Sequence, residues 1–170
     1  AFRLSAAEEA ALARRPLGPR QVPEDPEVIF AIPLVAREAS GDWARVEANL
    51  ARTLTGLLKQ TDRTWQARIL GQDRPDTLPE DPRIAFYAYH KPPGPESDQM
   101  AKLSQLAESL WEEHDGSGYF VPLDADDLVH RTYVHDLRVE RPRDGAVFTG
   151  GWMLDAATGR IAAAAERPGR

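Results

Sequence analysis

Apolar and polar residues follow one another along the chain in the order expected of an α/β protein. The first regular segment, residues 28–35, is an almost continuous apolar run with Pro33 near its end, which predicts a strand buried on both faces of a parallel sheet. Asp42 then stands where a helix N-cap is expected, and apolar residues recur at helical spacing to about residue 60. We therefore predict a buried strand followed by a long amphipathic helix.

Three further strands are predicted in the central part of the chain. Residues 64–70 alternate in the way that strands do, residues 83–89 are a further predicted strand, and a short apolar run begins at Gly118 and reaches Leu123. Pro122 lies inside this last run. Because proline cannot donate a backbone hydrogen bond, its presence predicts an edge strand or a bulge.

Helices and a hairpin fill the remaining segments. We predict a helix capped by Ser97 and a second helix that begins after the apolar run 118–123 and ends near residue 139. Strands 146–154 and 160–164 are predicted to form a hairpin. The predicted buried stripe of the Ser97 helix consists of Met100, Leu103, Leu106, Ala107, Leu110 and Trp111. The predicted fold is α/β, with an open, mostly parallel sheet flanked by helices and a C-terminal β-hairpin.

Residues 1–27 differ in composition from the rest of the chain. Residues 5–15 have the pattern of a short helix with Ser5 as its cap, and four prolines at positions 16, 19, 23 and 26 predict a stiff connector. We assign 1–27 to an N-terminal helical arm and Pro-rich linker, and 28–170 to one domain. The arm is interpreted either as a docking element or as an appendage that packs on the domain.

Composition narrows the class of protein. Of 170 residues, 42% are hydrophobic and 28% charged, as in ordinary globular proteins, and the net charge of −6 without a basic face argues against nucleic-acid binding. The absence of cysteine excludes disulfides, thiolate zinc sites and cysteine nucleophiles. No apolar run approaches the ~20 residues of a membrane span and no signal peptide is evident, so a cytoplasmic protein is expected. The missing initial Met and the loop-like tail, 166–170, favour an excised or truncated piece of a longer protein over a naturally short one.

Residues that could bind a ligand directly follow the predicted strands. Asp124, Asp126 and Asp127 directly follow an apolar run, and carboxylates are the ligands that Mg²⁺ and Mn²⁺ prefer. Arg37 and Asp73 follow the first and second predicted strands. Because ligands of open α/β sheets bind beyond the carboxyl ends of strands, these side chains are candidate site residues. The competing interpretation is that the aspartates only begin the next helix.

From residue 28 to about 164 the chain resembles a glycosyltransferase of the GT-A fold, most closely the inverting family-2 type. The resemblance is carried by Ile32–Pro33 at the end of the first strand, by Gln72–Asp73 at the end of the second, and above all by Tyr119–Asp127, which reads Tyr-Phe-Val-Pro-Leu-Asp-Ala-Asp-Asp. It implies a bacterial-type enzyme that transfers a hexose or deoxyhexose from a nucleotide-diphosphate sugar to a hydroxyl of a glycan or other acceptor. UDP is weakly favoured as the nucleotide.

The resemblance also implies roles for individual residues. Pro33, Leu34, Val35 and Arg37 would border the base and ribose, and Asp73 would hydrogen-bond one of them. The DxD segment would bind the donor through Asp124 and Ala125, and Asp126, with Asp124, would ligate Mn²⁺ or Mg²⁺. Asp127 either assists this binding or caps its helix, and the cap is preferred. Lys91 or Lys102 either approaches a phosphate or is a solvated lysine, and the solvated lysine is preferred.

Several features depart from the pattern of the family. The general base and much of the acceptor site would lie beyond residue 170, so no catalytic residue is assigned. Two alternatives stay open: a catalytically degenerate GT-A-like scaffold, and a phosphotransferase of the haloacid-dehalogenase type. The phosphotransferase is disfavoured because Leu128 stands where that family has Thr or Val, and because its Asp-x-Asp motif normally begins the domain. Gly150-Gly151-Trp152 is either a sugar-contacting segment with Trp152 as a stacking platform or a bulged strand with a core tryptophan, and the second interpretation is preferred. His130 and His135 are interpreted as surface residues.

Overall fold

The computed structural model describes residues 22–93, 98–114, 118–143, 145–147 and 150–164. The helix predicted at 5–15 and the Ser97 cap lie outside these ranges. The helices are α1 (Trp43–Leu58), α2 (Gln99–His114) and α3 (Tyr133–Glu140), and a short 3₁₀ turn covers Arg37–Ala39. The strands are β1 (Val28–Pro33), β2 (Trp65–Gly71), β3 (Ile84–Ala88), β4 (Tyr119–Pro122), β5 (Gly151–Leu154) and β6 (Ile161–Ala164).

A four-stranded parallel sheet in the order β3-β2-β1-β4 forms the centre of the fold. The fully apolar β1 lies between β2 and β4, which is why every residue of it is buried. Strand β4 lies at the edge, as Pro122 predicted. The α/β prediction is confirmed, including the hairpin, in which β5 and β6 pair antiparallel.

Helices cover both faces of this sheet. On one face Val28, Phe30 and Ile32 of β1 pack in a single cluster with leucines of α1 and with α3. On the other face Ala31 and Leu70 pack against Leu106 of α2. Burying each large side chain contributes roughly 1.5–3 kcal/mol, so these two layers account for much of the folding free energy.

Local signals explain where β4 and α1 begin. The Asp42 carboxylate accepts a hydrogen bond from the backbone N–H of Arg45 at 3.0 Å, so the predicted N-cap is confirmed. Gly118 has φ of +104°, and a Cβ there would lie 2.7 Å from the carbonyl oxygen of Glu27. Only glycine lets the chain approach β1 this closely, and the N–H of Tyr119 then donates to that carbonyl at 2.8 Å.

The helix after the aspartates begins later than the sequence predicts. It starts at Tyr133 with Thr132 at its cap, so the interpretation of Asp127 as the helix cap is wrong. The reason is tertiary. Gln60, which is buried, donates to the carbonyl of His130 at 2.8 Å and accepts the N–H of Val134 at 3.1 Å, so residues 124–132 remain an irregular loop tied to the end of α1.

Three further expectations can be compared with side-chain burial. In α2 the buried row is Lys102, Leu106 and Leu110, whereas Met100 is 71% exposed and Ala107 is also exposed, so the predicted stripe is partly wrong. Trp152 is 76% exposed, and its neighbours throughout residues 151–163 are exposed as well, so its interpretation as a core residue is wrong. His130 and His135 are exposed, as predicted.

Among the described helices, none combines the length and the apolar character that a crossing of the bilayer requires.

Candidate functional site

A cavity of about 380 Å³ opens beyond the carboxyl ends of β1 and β4. The chain runs from β1 to β2 and β3 on one side of the sheet and returns to β4 on the other side, so these two strand ends form the topological switch point. The residues that line the cavity are Pro33, Leu34, Val35, Ala36, Ala39, Val46, Asn49, Pro93, Asp98, Gln99, Lys102, Asp124, Ala125 and Asp126.

The aspartate segment forms a turn whose backbone is held by the neighbouring elements. The N–H of Leu123 donates to the carbonyl of Ala31 at 3.0 Å, which extends the ladder between β1 and β4, and the N–H of Asp127 donates to the carbonyl of Asp124 at 3.1 Å. The hydroxyl of Thr53, buried in α1, lies 2.9 Å from the carbonyl oxygens of both Ala125 and Asp127. The turn therefore holds Asp124 and Asp126 at the cavity.

The side chain of Asp124 is also held. Its Oδ1 accepts a hydrogen bond from Nε2 of Gln99, the first residue of α2, at 2.6 Å. This contact joins the turn after β4 to α2, which packs on the face of the sheet opposite to α1. The turn and the Asp124 carboxylate thus have separate attachments, one to α1 and one to α2.

A buried lysine lies at the cavity wall. Lys102 has no exposed surface, its Nζ donates to the carbonyl oxygen of Leu34 at 2.6 Å, and the same ammonium group pairs with Asp98 Oδ1 at 2.8 Å. The interpretation of Lys102 as solvated is therefore wrong, because the helix directs it beneath the end of β1. Lys91, by contrast, is exposed as predicted.

Asp98 is bound on both of its carboxylate oxygens. Lys102 pairs with Oδ1, and Nε2 of Gln72 donates to Oδ2 at 2.7 Å. Burial of this carboxyl raises its pKa, but the hydrogen bonds from Lys102 and Gln72 outweigh that effect, so the pKa of Asp98 lies below its ordinary value. Asp98 stays ionised at neutral pH and links the end of β2 to the start of α2.

Arg37 and Asp73 meet, but beside the cavity rather than in its lining. The backbone N–H of Arg37 donates to Asp73 Oδ2 at 2.8 Å, and the guanidinium of Arg37 lies 5.0 Å from the ring centroid of Trp43. Asp73 therefore fixes the turn after β1 by accepting its backbone N–H. The sequence correctly placed the two residues at neighbouring strand ends.

The predicted site residues thus divide into two groups. Those of the β1 end and the aspartate turn line one cavity, whereas Arg37 and Asp73 do not. Asp98 and Gln99 also line the cavity although neither was predicted as a site residue, and Lys102 is buried rather than solvated. The sequence did contain a pattern that indicates the burial of Lys102. Asp98 and Lys102 have opposite charges at i, i+4 spacing, and Lys102 is four residues before Leu106 on the buried row of the helix.

The electrostatics of the turn are those of crowded carboxylates. Although Asp127 is exposed as a residue, partial desolvation of its carboxyl and the nearby Asp124 and Asp126 carboxylates raise its pKa above the ordinary value. Within the described part of the chain no group of three His, Asp or Glu residues could hold a metal. Two carboxylates nevertheless suit Mg²⁺, which is often bound by one or two of them together with water and substrate phosphates.

No protein-family model matches this chain, and no curated protein matches it in sequence.

We predict that replacing Lys102 by Met destabilises the protein. The substitution removes the charge partner of Asp98 and the donor to the Leu34 carbonyl. Breaking a fully buried pair costs about 3–5 kcal/mol, and since the Asp98 side chain is 23% exposed we expect a loss in unfolding free energy on the order of 2–4 kcal/mol.

Chemical denaturation measures this loss. The control is Lys59→Met, which replaces an exposed lysine just after α1 and should change the unfolding free energy by less than about 0.5 kcal/mol. Equal small effects of both variants would contradict the structural role of Lys102.

A second prediction concerns the acid stability of the protein. Because the folded-state pKa of Asp98 is lowered, its contribution to stability is complete above the unfolded-state pKa of about 3.9 and is lost as the pH falls through the folded-state value. Asp98→Asn should therefore show a shallower decrease in unfolding free energy below pH 4 than the wild type. Denaturation curves at a series of pH values measure both slopes, and parallel slopes would refute the lowered pKa.

Proposed function

We propose that this chain binds a nucleotide-diphosphate sugar in the cavity and acts as the donor-binding portion of a glycosyltransferase with a GT-A-like domain. The Asp124 and Asp126 carboxylates would hold Mn²⁺ or Mg²⁺. The observation that carries the proposal is the position of these carboxylates. They line one cavity together with the backbone of Pro33–Val35, at the switch point of a parallel sheet.

The aspartate turn supports a binding role over a capping role. Helix α3 begins at Tyr133, six residues after Asp127, so none of the three aspartates stabilises its first turn. Thr53 and the β1–β4 ladder hold the turn without using the Asp124 or Asp126 side chains. Two carboxylates thus line one cavity without capping a helix, as is expected of a ligand site.

The shape and chemistry of the cavity suit a nucleoside diphosphate. Its volume of about 380 Å³ is within the range of small-ligand pockets, and one wall is apolar through Leu34, Val46 and Ala39. A base and ribose would contact this wall, while the charged end of the ligand would lie toward the carboxylates. When bound there, a divalent cation would neutralise charge on the diphosphate leaving group.

The acceptor in this proposal is a hydroxyl of a glycan or another molecule, and we place the activity in the cytoplasm. UDP is the first nucleotide to test, because the resemblance of the sequence favours it. The segment around Pro33–Val35 would bind the donor by its backbone, and Lys102 would keep that backbone in place through the Leu34 carbonyl.

One observation favours a second candidate, a binding module without transfer activity. Asp98 is the remaining carboxylate of the cavity lining, and both of its oxygens are bound by Lys102 and Gln72. Its lowered pKa makes it a poor general base. Ligand binding with no turnover of the sugar nucleotide would support this candidate.

Calorimetric titration with UDP, GDP and dTDP, each with and without Mn²⁺, tests the proposed function. We expect one nucleotide to bind in the presence of Mn²⁺, and Asp126→Ala to weaken that binding at least tenfold because the cation loses a ligand. The control is Glu80→Ala, which removes an exposed acidic residue outside the cavity lining.

The control should bind as the wild type does. A folded wild-type chain that binds none of the three nucleotides, or binds one equally well after Asp126→Ala, would overturn the proposed site. Incubation of the bound donor with and without candidate acceptors then separates transfer from binding alone.

A further inference from the structure

We propose that Gln99 is a positioning residue for the cation site, which orients Asp124 so that its carboxylate is ready to bind the metal. This inference rests on the proposed function and names a residue that acts on the metal only through Asp124. Its basis is the hydrogen bond of 2.6 Å from Gln99 Nε2 to Asp124 Oδ1.

The chemistry of the donor explains why an amide suits this role. A carboxylate has about four acceptor positions, so one hydrogen bond leaves several for a cation. Because the amide is neutral, it restrains Asp124 without neutralising the charge that attracts the metal. A lysine or arginine in its place would compete with the cation for the carboxylate.

The surroundings of Asp124 show why its side chain needs a restraint. Asp126 and Asp127 lie within the same short turn, and like charges repel, so an unrestrained Asp124 side chain would turn away from them. Gln99 opposes this movement from across the cavity. Its own position is fixed, because Lys102 binds α2 to the end of β1 one turn later along the helix.

The backbone of the turn has other attachments, so the effect of Gln99 is separable from folding. Thr53 binds the carbonyls of Ala125 and Asp127, and Leu123 continues the ladder with β1. Gln99 is exposed, and alanine is a strong helix former at the start of α2. Gln99→Ala should therefore remove the restraint on the carboxylate while the protein stays folded.

Electron paramagnetic resonance of Mn²⁺ tests this inference. Mn²⁺ is titrated into an equimolar mixture of the protein and whichever of UDP, GDP and dTDP binds the wild type, and the protein-bound ion is distinguished by its spectrum from the free ion and from the ion bound to nucleotide alone. We expect Gln99→Ala to raise the dissociation constant of Mn²⁺ by on the order of 10-fold, as loss of a group that orients a metal ligand does, and to change the spectrum of the bound ion.

The matched control is Gln105→Ala, which removes an exposed glutamine from the same helix outside the cavity lining. It should leave the Mn²⁺ affinity and spectrum as in the wild type. Thermal unfolding of all three proteins is measured alongside, and the unfolding temperature of Gln99→Ala should match that of the control.

The possible results separate the two proposals. If the wild type and Gln105→Ala bind Mn²⁺ and Gln99→Ala binds it equally well with the same spectrum, the positioning role is wrong and the cation site stands. If Gln99→Ala loses affinity only in proportion to lost folded protein, the residue is structural and the inference is also wrong. If the folded wild type binds no Mn²⁺ with any nucleotide, the proposed function itself fails.

Discussion

The ammonium group of Lys102 makes the contacts on which the shape of the cavity depends. Removing an ammonium ion from water costs several kcal/mol, so a buried lysine is tolerated only where its charge and its donors are satisfied. Here Asp98 supplies the charge and the Leu34 carbonyl accepts a hydrogen bond. That carbonyl belongs to the segment that leaves β1. One side chain of α2 therefore determines where the floor of the cavity lies.

Asp98 extends this contact to a third element. Through Gln72 it binds the residue that follows β2, so the ends of β1 and β2 and the start of α2 form one hydrogen-bonded unit. The aspartate turn joins the same unit through Gln99, while Thr53 binds it to α1 on the other face of the sheet. Folding thus builds the cavity by polar contacts that cross between layers, whereas the apolar clusters only bring the layers together.

Features of the fold could be predicted from the sequence where they depend on residues that are close together in the chain. The run Val28–Pro33, the cap at Asp42 and the edge position of β4 follow from hydrophobicity, side-chain hydrogen bonding and the missing N–H of Pro122, and each was predicted correctly. The late start of α3 was not predicted, because Gln60 is more than 70 residues away in sequence.

In the candidate site, too, features set by the local sequence could be predicted and features set by distant residues could not. Placing Asp124 and Asp126 at a strand end followed from the sequence, because the apolar run before them is short and ends abruptly. Lys102 was misjudged because a lysine is normally exposed, and its partner Leu34 is 68 residues away. The amide of Gln99 carries no local signal at all, since its role depends on where the turn after β4 lies.

We propose that the aspartate turn and the end of β1 contact the same bound cation and nucleotide in one cavity. Paramagnetic broadening of backbone amide signals by small amounts of Mn²⁺, in the presence of UDP, GDP or dTDP, tests it directly. If both elements contact the same ion, the amides of Ala125 and Asp126 will broaden first, those of Leu34 and Val35 will follow closely, and Asp126→Ala will abolish the effect. Broadening centred on the exposed acidic residues outside the cavity, with the signals of Leu34 and Val35 unchanged, would contradict it.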